Sequence, residues 1–163
     1  MLQQHELDQI DKGFTKIMII WIALISSLGF YLVICKAVEN QVVISVDASQ
    51  LEVIKYALFI MSALTLACAY LLRKILMGKI ARPVQGGAFQ SDTHPAVGKY
   101  LIVIIIVMAL SESVGIYGMV LFFISKDAMP LYQLMILSAA AMVVFRPKKE
   151  ELIEVAKKMN SAQ

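Results

Sequence analysis

The sequence predicts an all-α integral membrane protein, a four-helix bundle made of two repeated transmembrane hairpins. Three observations carry that reading: an apolar excess, four separate apolar runs of spanning length, and a partial repeat between the two halves. Of 163 residues, 60% are apolar and only 17% charged, with a mean hydropathy of +0.75. A water-soluble domain carries about 25% charged and about 45–50% apolar residues. The surplus here is too large for a wetted surface to hide. The same composition excludes a disordered chain, a disulfide-stapled secreted domain and a conventional nucleic-acid binder.

A bilayer core of about 30 Å needs roughly 20 apolar residues in a helix, because backbone polar groups in lipid must pair internally. Four stretches qualify. The first runs from Ile17 to Val38 with no charge before Lys36, and the second from Val53 to Leu72 with Lys55 near its outer end. The third, Lys99 to Ser125, holds one interior charge, Glu112. The fourth, Met129 to Phe145, is 17 residues long, with Pro130 in a first turn where its missing N–H is harmless. Ser49 with Glu52 reads as a capping box for the second helix, Asp92 or Thr93 before Pro95 as the start of the third, and Asp127 as the start of the fourth.

Four crossings place both termini and the central connection on one side. That side carries twelve of the 15 basic residues, and only Lys36, Lys55 and Lys126 fall on the other. This asymmetry puts both termini in the cytoplasm, and a prokaryotic cytoplasmic membrane is the expected location. No cleavable signal peptide is expected, because acidic Glu6, Asp8 and Asp11 precede the first run and a basic leader is missing. Cys35 and Cys68 fall at opposite depths and read as free, lipid-buried thiols.

The chain therefore divides into a cytoplasmic interfacial segment (1–16), a first hairpin (17–77), a cytoplasmic loop (78–98), a second hairpin (99–145) and a cytoplasmic amphipathic tail (146–163). Leu7, Ile10 and Phe14 give the first segment an apolar stripe, and Leu152, Val155 and Met159 give the tail another. Both read chiefly as helices lying against lipid headgroups, with docking on a partner subunit as the alternative. Pro83, Gly86, Gly87 and Pro95 mark the loop, where His94 stands alone. No metal-ligand cluster, nucleophilic triad or phosphate-cradling motif is visible, so no enzyme is expected.

Shifting the chain by 86 residues lays Ala23 to Ile34 over Ala109 to Val120 with five of twelve positions identical, including Gly29 with Gly115 and Tyr31 with Tyr117. The copies run the same way, as in a parallel duplication with its axis along the membrane normal. Opposite Glu112 the first copy has Ser26.

Glu112 is the most informative residue. It lies 13 positions from either end of its span, hence near mid-bilayer, where a charge costs about 2.5–3.5 kcal/mol on insertion scales. Such a residue faces a bundle interior or an aqueous path, and hydrocarbon disfavours its charged form. A carboxyl that takes up a proton, or is stabilised as an anion by a cation, suits ion exchange. Ser113 and Tyr117 lie beside it on its own helix, and Ser62 and Thr65 on the second span offer hydroxyls. Ser111, Gly115 and Gly118 form a small-residue strip that admits another helix. In the plainer alternative, a neutral Glu112 hydrogen-bonds Ser62 or Thr65 and holds the bundle together.

The run Ala109-Leu-Ser-Glu-Ser-Val-Gly-Ile-Tyr-Gly-Met-Val-Leu121 resembles the carboxylate-bearing helix of the rotary ATPase proteolipid, subunit c of F- and V-type enzymes. The resemblance covers residues about 99–125. It implies that Glu112 is the ion-binding carboxylate, that Tyr117 orients it, and that Ser113 is similar to the residue in members that bind sodium. The duplicated hairpin with one carboxylate resembles the larger V-type proteolipids. The chain differs from the family in a second span without Gly, a longer cytoplasmic loop and cytoplasmic termini. The expected function is a multi-pass subunit binding H⁺ or Na⁺ at Glu112 within a larger membrane complex. The alternative is a non-translocating scaffold or assembly subunit. No cofactor beyond H⁺ or Na⁺ is expected. The expected partners are membrane lipid and other membrane subunits or copies of the chain, with no nucleic acid.

Overall fold

The computed structural model describes residues 4–39, 47–80 and 94–160. Five helices follow one another: α1 (Gln4–Val38), α2 (Ala48–Ile80), α3 (Pro95–Ser125), α4 (Ala128–Val144) and α5 (Lys149–Asn160). No strand occurs among the described residues. Helices α1, α2 and α3 are long and apolar enough to cross a membrane, and α4 with α5 adds a fourth crossing if that pair, bent by 48°, is one span.

Helix α3 is the hub. Its buried positions, Tyr100, Ile104, Val107, Ser111, Gly115, Gly118 and Phe122, recur every three or four residues and form one broad stripe. Helices α1, α2, α4 and α5 all pack on α3. The opposite face, with Ile102, Ile105, Ile116 and Val120, is exposed. Ile19, Phe30 and Val33 on α1, Val53, Ile60 and Leu64 on α2, and Ile136 and Val144 on α4 are each more than half exposed. So continuous an apolar surface fits a lipid environment.

The two halves do not pack alike. Helices α3 and α4 form a close antiparallel pair, while α1 and α2 each lie against α3 and scarcely touch one another. The tightness of α3–α4 comes from glycine. A Cβ at Gly118 would stand 3.0 Å from the Leu134 Cβ and 3.2 Å from the Leu131 carbonyl oxygen. The turn between them places Lys126 in the left-handed region at φ 56, with its N–H donating to the Phe122 carbonyl. Asp127 then caps α4 by accepting the Met129 N–H at 2.9 Å, as its residue type predicts.

The other caps differ from the sequence reading. Helix α2 begins one residue before Ser49, and the Asp47 carbonyl receives the first helical N–H, from Leu51. Ser49 therefore lies inside the first turn. Asp92 and Thr93 fall outside the described residues. Helix α3 is capped by His94, whose Nδ1 accepts the Ala96 N–H at 3.2 Å with Pro95 next in line.

The terminal segments are also built differently. The expected interfacial segment at 1–16 is continuous with the first span, since α1 runs 35 residues without a break, or roughly 52 Å at about 1.5 Å per residue. Its buried Ile10 and Ile17 continue the stripe of Leu28 and Cys35. The tail helix α5 docks on the chain itself. Leu152, Val155 and Ala156 are buried in the same cluster as Ile10, Ala96, Val97 and Tyr100, with Met159 packed beside it. Burial of the leucine and valine side chains is worth about 1.5–3 kcal/mol each. On the exposed side of α5, Lys158 sits 2.6 Å from Glu154 one turn earlier and holds that carboxyl below the usual range.

Polar contacts close this end of the molecule. Arg73 donates twice to Glu151, at 2.9 and 3.1 Å, and stacks over the Phe145 ring. The Tyr100 hydroxyl donates to Glu151 at 3.1 Å and accepts the Lys148 N–H at 2.9 Å. Lys149 pairs with Asp11 at 2.7 Å. One end thus gathers residues from α1, α2, α3 and α5. At the other end, Lys36, Phe122 and Tyr132 share one cavity wall, and Lys55, Ser125 and Asp127 share another. Helices α1 and α3 therefore point one way and α2 and α4 the other.

Candidate functional site

Ser27 and Tyr31 lie four residues apart on α1, so helical geometry places them on one face, one turn apart. Both reach across to α3. The Ser27 Oγ and the Tyr31 hydroxyl each lie 2.6 Å from the same oxygen, Oε1 of Glu112. All three side chains are half-buried, at the seam where α1 meets the open face of α3. Oε2 of Glu112 has no hydrogen-bond partner among the described residues. The Ser27 Oγ is also 2.6 Å from the carbonyl oxygen of Leu24, in its own helix.

The residues singled out from the sequence are disposed differently. The Ser113 hydroxyl donates to Leu110 O at 2.8 Å, and those of Ser62 and Thr65 donate to Leu58 O and Met61 O. These three hydroxyls are bonded to their own helices, as serine and threonine commonly are within a helix. Tyr117 packs against the buried cluster of Val114, Leu121 and Leu134, which Ile54, Leu58, Phe59 and Leu66 of α2 also cover. The structure thus joins Glu112 to α1, and brings neither Ser62 nor Thr65 into hydrogen-bond contact with it.

Ser27 and Tyr31 were missed as site residues, although the repeat carried the signal. The 86-residue shift places Ser27 on Ser113 and Tyr31 on Tyr117. The same Ser-x-x-x-Tyr pair occurs in both copies, and it is the pair of the first copy that faces the carboxyl of the second.

Ser111, Gly115 and Gly118 face α4. The Ser138 hydroxyl donates to Ser111 O at 2.7 Å, while Ser111 donates to Val107 O. A Cβ at Gly115 would stand 2.8 Å from a Leu28 methyl and 3.3 Å from the Met135 sulfur. This strip is filled by α4 and by Leu28 of α1. The strip is therefore not open to another chain.

Two further polar groups belong to this frame. The indole N–H of Trp21 donates to Met142 O at 3.0 Å, satisfying a carbonyl in the last turn of α4 that has no helical partner of its own. No group of three or more His, Cys, Asp or Glu side chains that could hold a metal occurs among the described residues. Cys35 is buried and Cys68 exposed, and both thiols are free.

Compared with protein-family models, with curated proteins and with solved structures, the chain matches none.

Proposed function

We propose that this chain is a multi-pass membrane subunit in which Glu112 reversibly binds a proton as part of a larger membrane complex. The observation that carries the reading is the convergence of two hydroxyls, from Ser27 and Tyr31, on one oxygen of a carboxyl midway along α3. A carboxyl at that depth is costly when charged, and the site supplies directed hydrogen-bonding partners to it in place of water. The partners of Glu112 are two hydroxyls, Ser27 and Tyr31, which can each share a proton in a hydrogen-bond chain. That supports H⁺ over Na⁺. The proteolipid-like run around Glu112 adds support of its own, as a resemblance in sequence.

The embedding belongs to the same proposal. Helices α1, α2 and α3 cross the bilayer, α4 with the bend into α5 completes the fourth crossing, and the Arg73–Glu151 end faces the cytoplasm. Basic residues concentrated at that end support this orientation.

A second reading has an observation of its own. Because Ser27 and Tyr31 tie α1 to a hub it otherwise touches sparingly, Glu112 can serve as interhelical glue in a non-translocating scaffold. Glu112→Gln separates the two, since it keeps the side chain's length and a carbonyl oxygen for Tyr31 but removes the titration. Under the proton reading the variant assembles normally and loses function. Full function in the assembled variant would favour the scaffold. A carbodiimide, which attacks protonated carboxyls, should label Glu112 ever more slowly as pH rises, and sodium should give no protection. Absence of labelling at every pH would overturn the proton reading.

A further inference from the structure

Hydrogen counting around Glu112 specifies where the proton sits. Three short oxygen–oxygen contacts form a chain: Tyr31 hydroxyl to Glu112 Oε1, Glu112 Oε1 to Ser27 Oγ, and Ser27 Oγ to the Leu24 carbonyl, all at 2.6 Å. Each such contact needs one hydrogen between its oxygens, because two lone pairs at that distance repel. The spacing lies at the short end for O–H···O bonds. The carbonyl supplies no hydrogen, and Tyr31 and Ser27 supply one each. A single serine hydrogen divided between two acceptors would leave both bonds long and bent. The third hydrogen must come from the carboxyl.

We propose that Glu112 carries its proton on Oε1 and donates it to Ser27, so that Ser27 clasps α1 to α3 by accepting from a neutral carboxyl. The inference rests on the proton-binding reading and assigns that proton a place and a partner. Tyr31 then donates to Oε1, and Ser27 passes its own hydrogen to Leu24 O within α1. On release the carboxyl O–H bond breaks, the proton goes to water, and its electron pair stays on the carboxylate. Ser27 is then left with one hydrogen for two acceptors, Leu24 O and the carboxylate. One link of the chain fails, and the seam between α1 and α3 loosens. Ser27 is a positioning residue whose effect depends on protonation.

The surroundings leave this chemistry to the three side chains. Tyr31 is the titratable group of α1 in contact with Glu112. Helix α4 meets α3 at this height through Ser138, which does not titrate. The charged groups of α2 nearest in sequence to its buried Ser62 are Lys55 and Arg73, about two and about three turns away along the helix. Asp127 and Arg146 lie at the two ends of α4.

The test is infrared titration of the Glu112 carboxyl in lipid nanodiscs, with its band identified by loss in Glu112→Gln. In the wild-type protein a protonated-carboxyl band should be present at neutral pH and disappear on alkalinisation. Ser27→Ala removes an acceptor that favours the neutral form, so the midpoint should fall, by roughly half a pH unit to one. Tyr31→Phe removes a donor that favours the anion more than the acid, so its midpoint should rise. Opposite signs are the signature of the assignment. A rise in Ser27→Ala would show that Ser27 donates to a carboxylate, and would overturn this proposal while leaving reversible proton binding intact. A neutral-acid band unchanged at every pH would overturn reversible binding itself and, with it, the release step that loosens the α1–α3 seam. A wild-type spectrum without that band at neutral pH would overturn the assignment.

Discussion

The glycines give the sharpest check on the packing, because their environments differ while the chemical change, Gly→Ala, stays the same. At Gly118 the new methyl would meet the Leu134 Cβ at 3.0 Å and the Leu131 backbone at 3.2 and 3.5 Å. Neither can turn aside, so α4 must shift bodily, and overpacking of this kind costs about 1–3 kcal/mol. The gain in helix propensity, up to about 1 kcal/mol, offsets part of this, and a net loss of about 1 kcal/mol is expected. At Gly29 a Cβ meets nothing within 4 Å, so only the gain remains. Gly115→Ala should fall between, because its closest neighbour, at 2.8 Å, is a Leu28 methyl that can rotate. Thermal unfolding of the three variants in one detergent, followed by circular dichroism, should give stabilities in the order Gly29→Ala, Gly115→Ala, Gly118→Ala. The first and last should differ by about 2 kcal/mol. If Gly118→Ala proves as stable as Gly29→Ala, the close approach of α3 and α4 is not real.

Four further outcomes follow from particular contacts. Trp21→Phe leaves the Met142 carbonyl without its donor and should lower stability by about 1 kcal/mol in the same unfolding assay; a silent variant would mean that α1 and α4 do not meet there. Arg73→Gln removes both hydrogen bonds to Glu151, and release of α5 should speed tryptic cleavage after Lys148 and Lys149 several-fold, whereas an unchanged cleavage rate would show that α5 is held without Arg73, by its apolar face and its contacts with Tyr100 and Asp11. Lys126→Gly relieves a left-handed backbone at φ 56 and should stabilise the protein by about 1 kcal/mol; a destabilised variant would point to an unseen role for the lysine side chain. Asp11→Ala breaks an exposed ion pair with Lys149 and should change stability by less than about 0.5 kcal/mol, a bound that a larger loss in the unfolding assay would contradict.

Much of the helical layout could be read from residue type and spacing. The apolar runs at 17–38 and 99–125 and the Asp127 cap reappear as α1, α3 and the start of α4, because each signal is local. The ends were harder. Helical pattern at 1–16 and at 149–160 is plain in the sequence, but whether such a stripe meets lipid, a partner or the chain itself depends on tertiary distance. Leu152 and Ile10 share a cluster only because the 48° bend between α4 and α5 lays α5 against α1 and α3. His94 could not be recognised as a cap while Asp92 and Thr93, better capping types, stood beside it. At the site, Glu112 was visible as an isolated charge in an apolar run. Its partners were not, because a single helix specifies which residues share its face and leaves open which helix covers that face. Ser62 and Thr65 were equally good donors by type. Packing gave the role to Ser27 and Tyr31, and turned the other hydroxyls back on their own backbones.

Under the proposal made for Glu112, the way each helix is held to α3 makes α1 the helix through which protonation would act. Hydrocarbon is as apolar as leucine, so helices in lipid gain little from burying side chains on one another and rely on close fit and hydrogen bonds. The α3–α4 pair has the fit, with backbone contact at Gly118 and the Ser138 hydroxyl on Ser111 O. Helix α2 presents small, fully buried Ser62 and Ala69 along its inner face and is pinned by Arg73. Helix α1 buries few of its 35 residues. Between the α5 end and the far turn it depends on Leu28 against Gly115, on the Trp21 bond to α4, and on the two hydroxyls at Glu112. Interhelical hydrogen bonds in membranes are worth about 0.6–2 kcal/mol each. Loss of the Ser27 link therefore removes a sizeable share of what holds the middle of α1 and little of what holds α2 or α4. If Glu112 binds and releases a proton as proposed, its loss would act on the docking of α1, the helix with the least else to hold it.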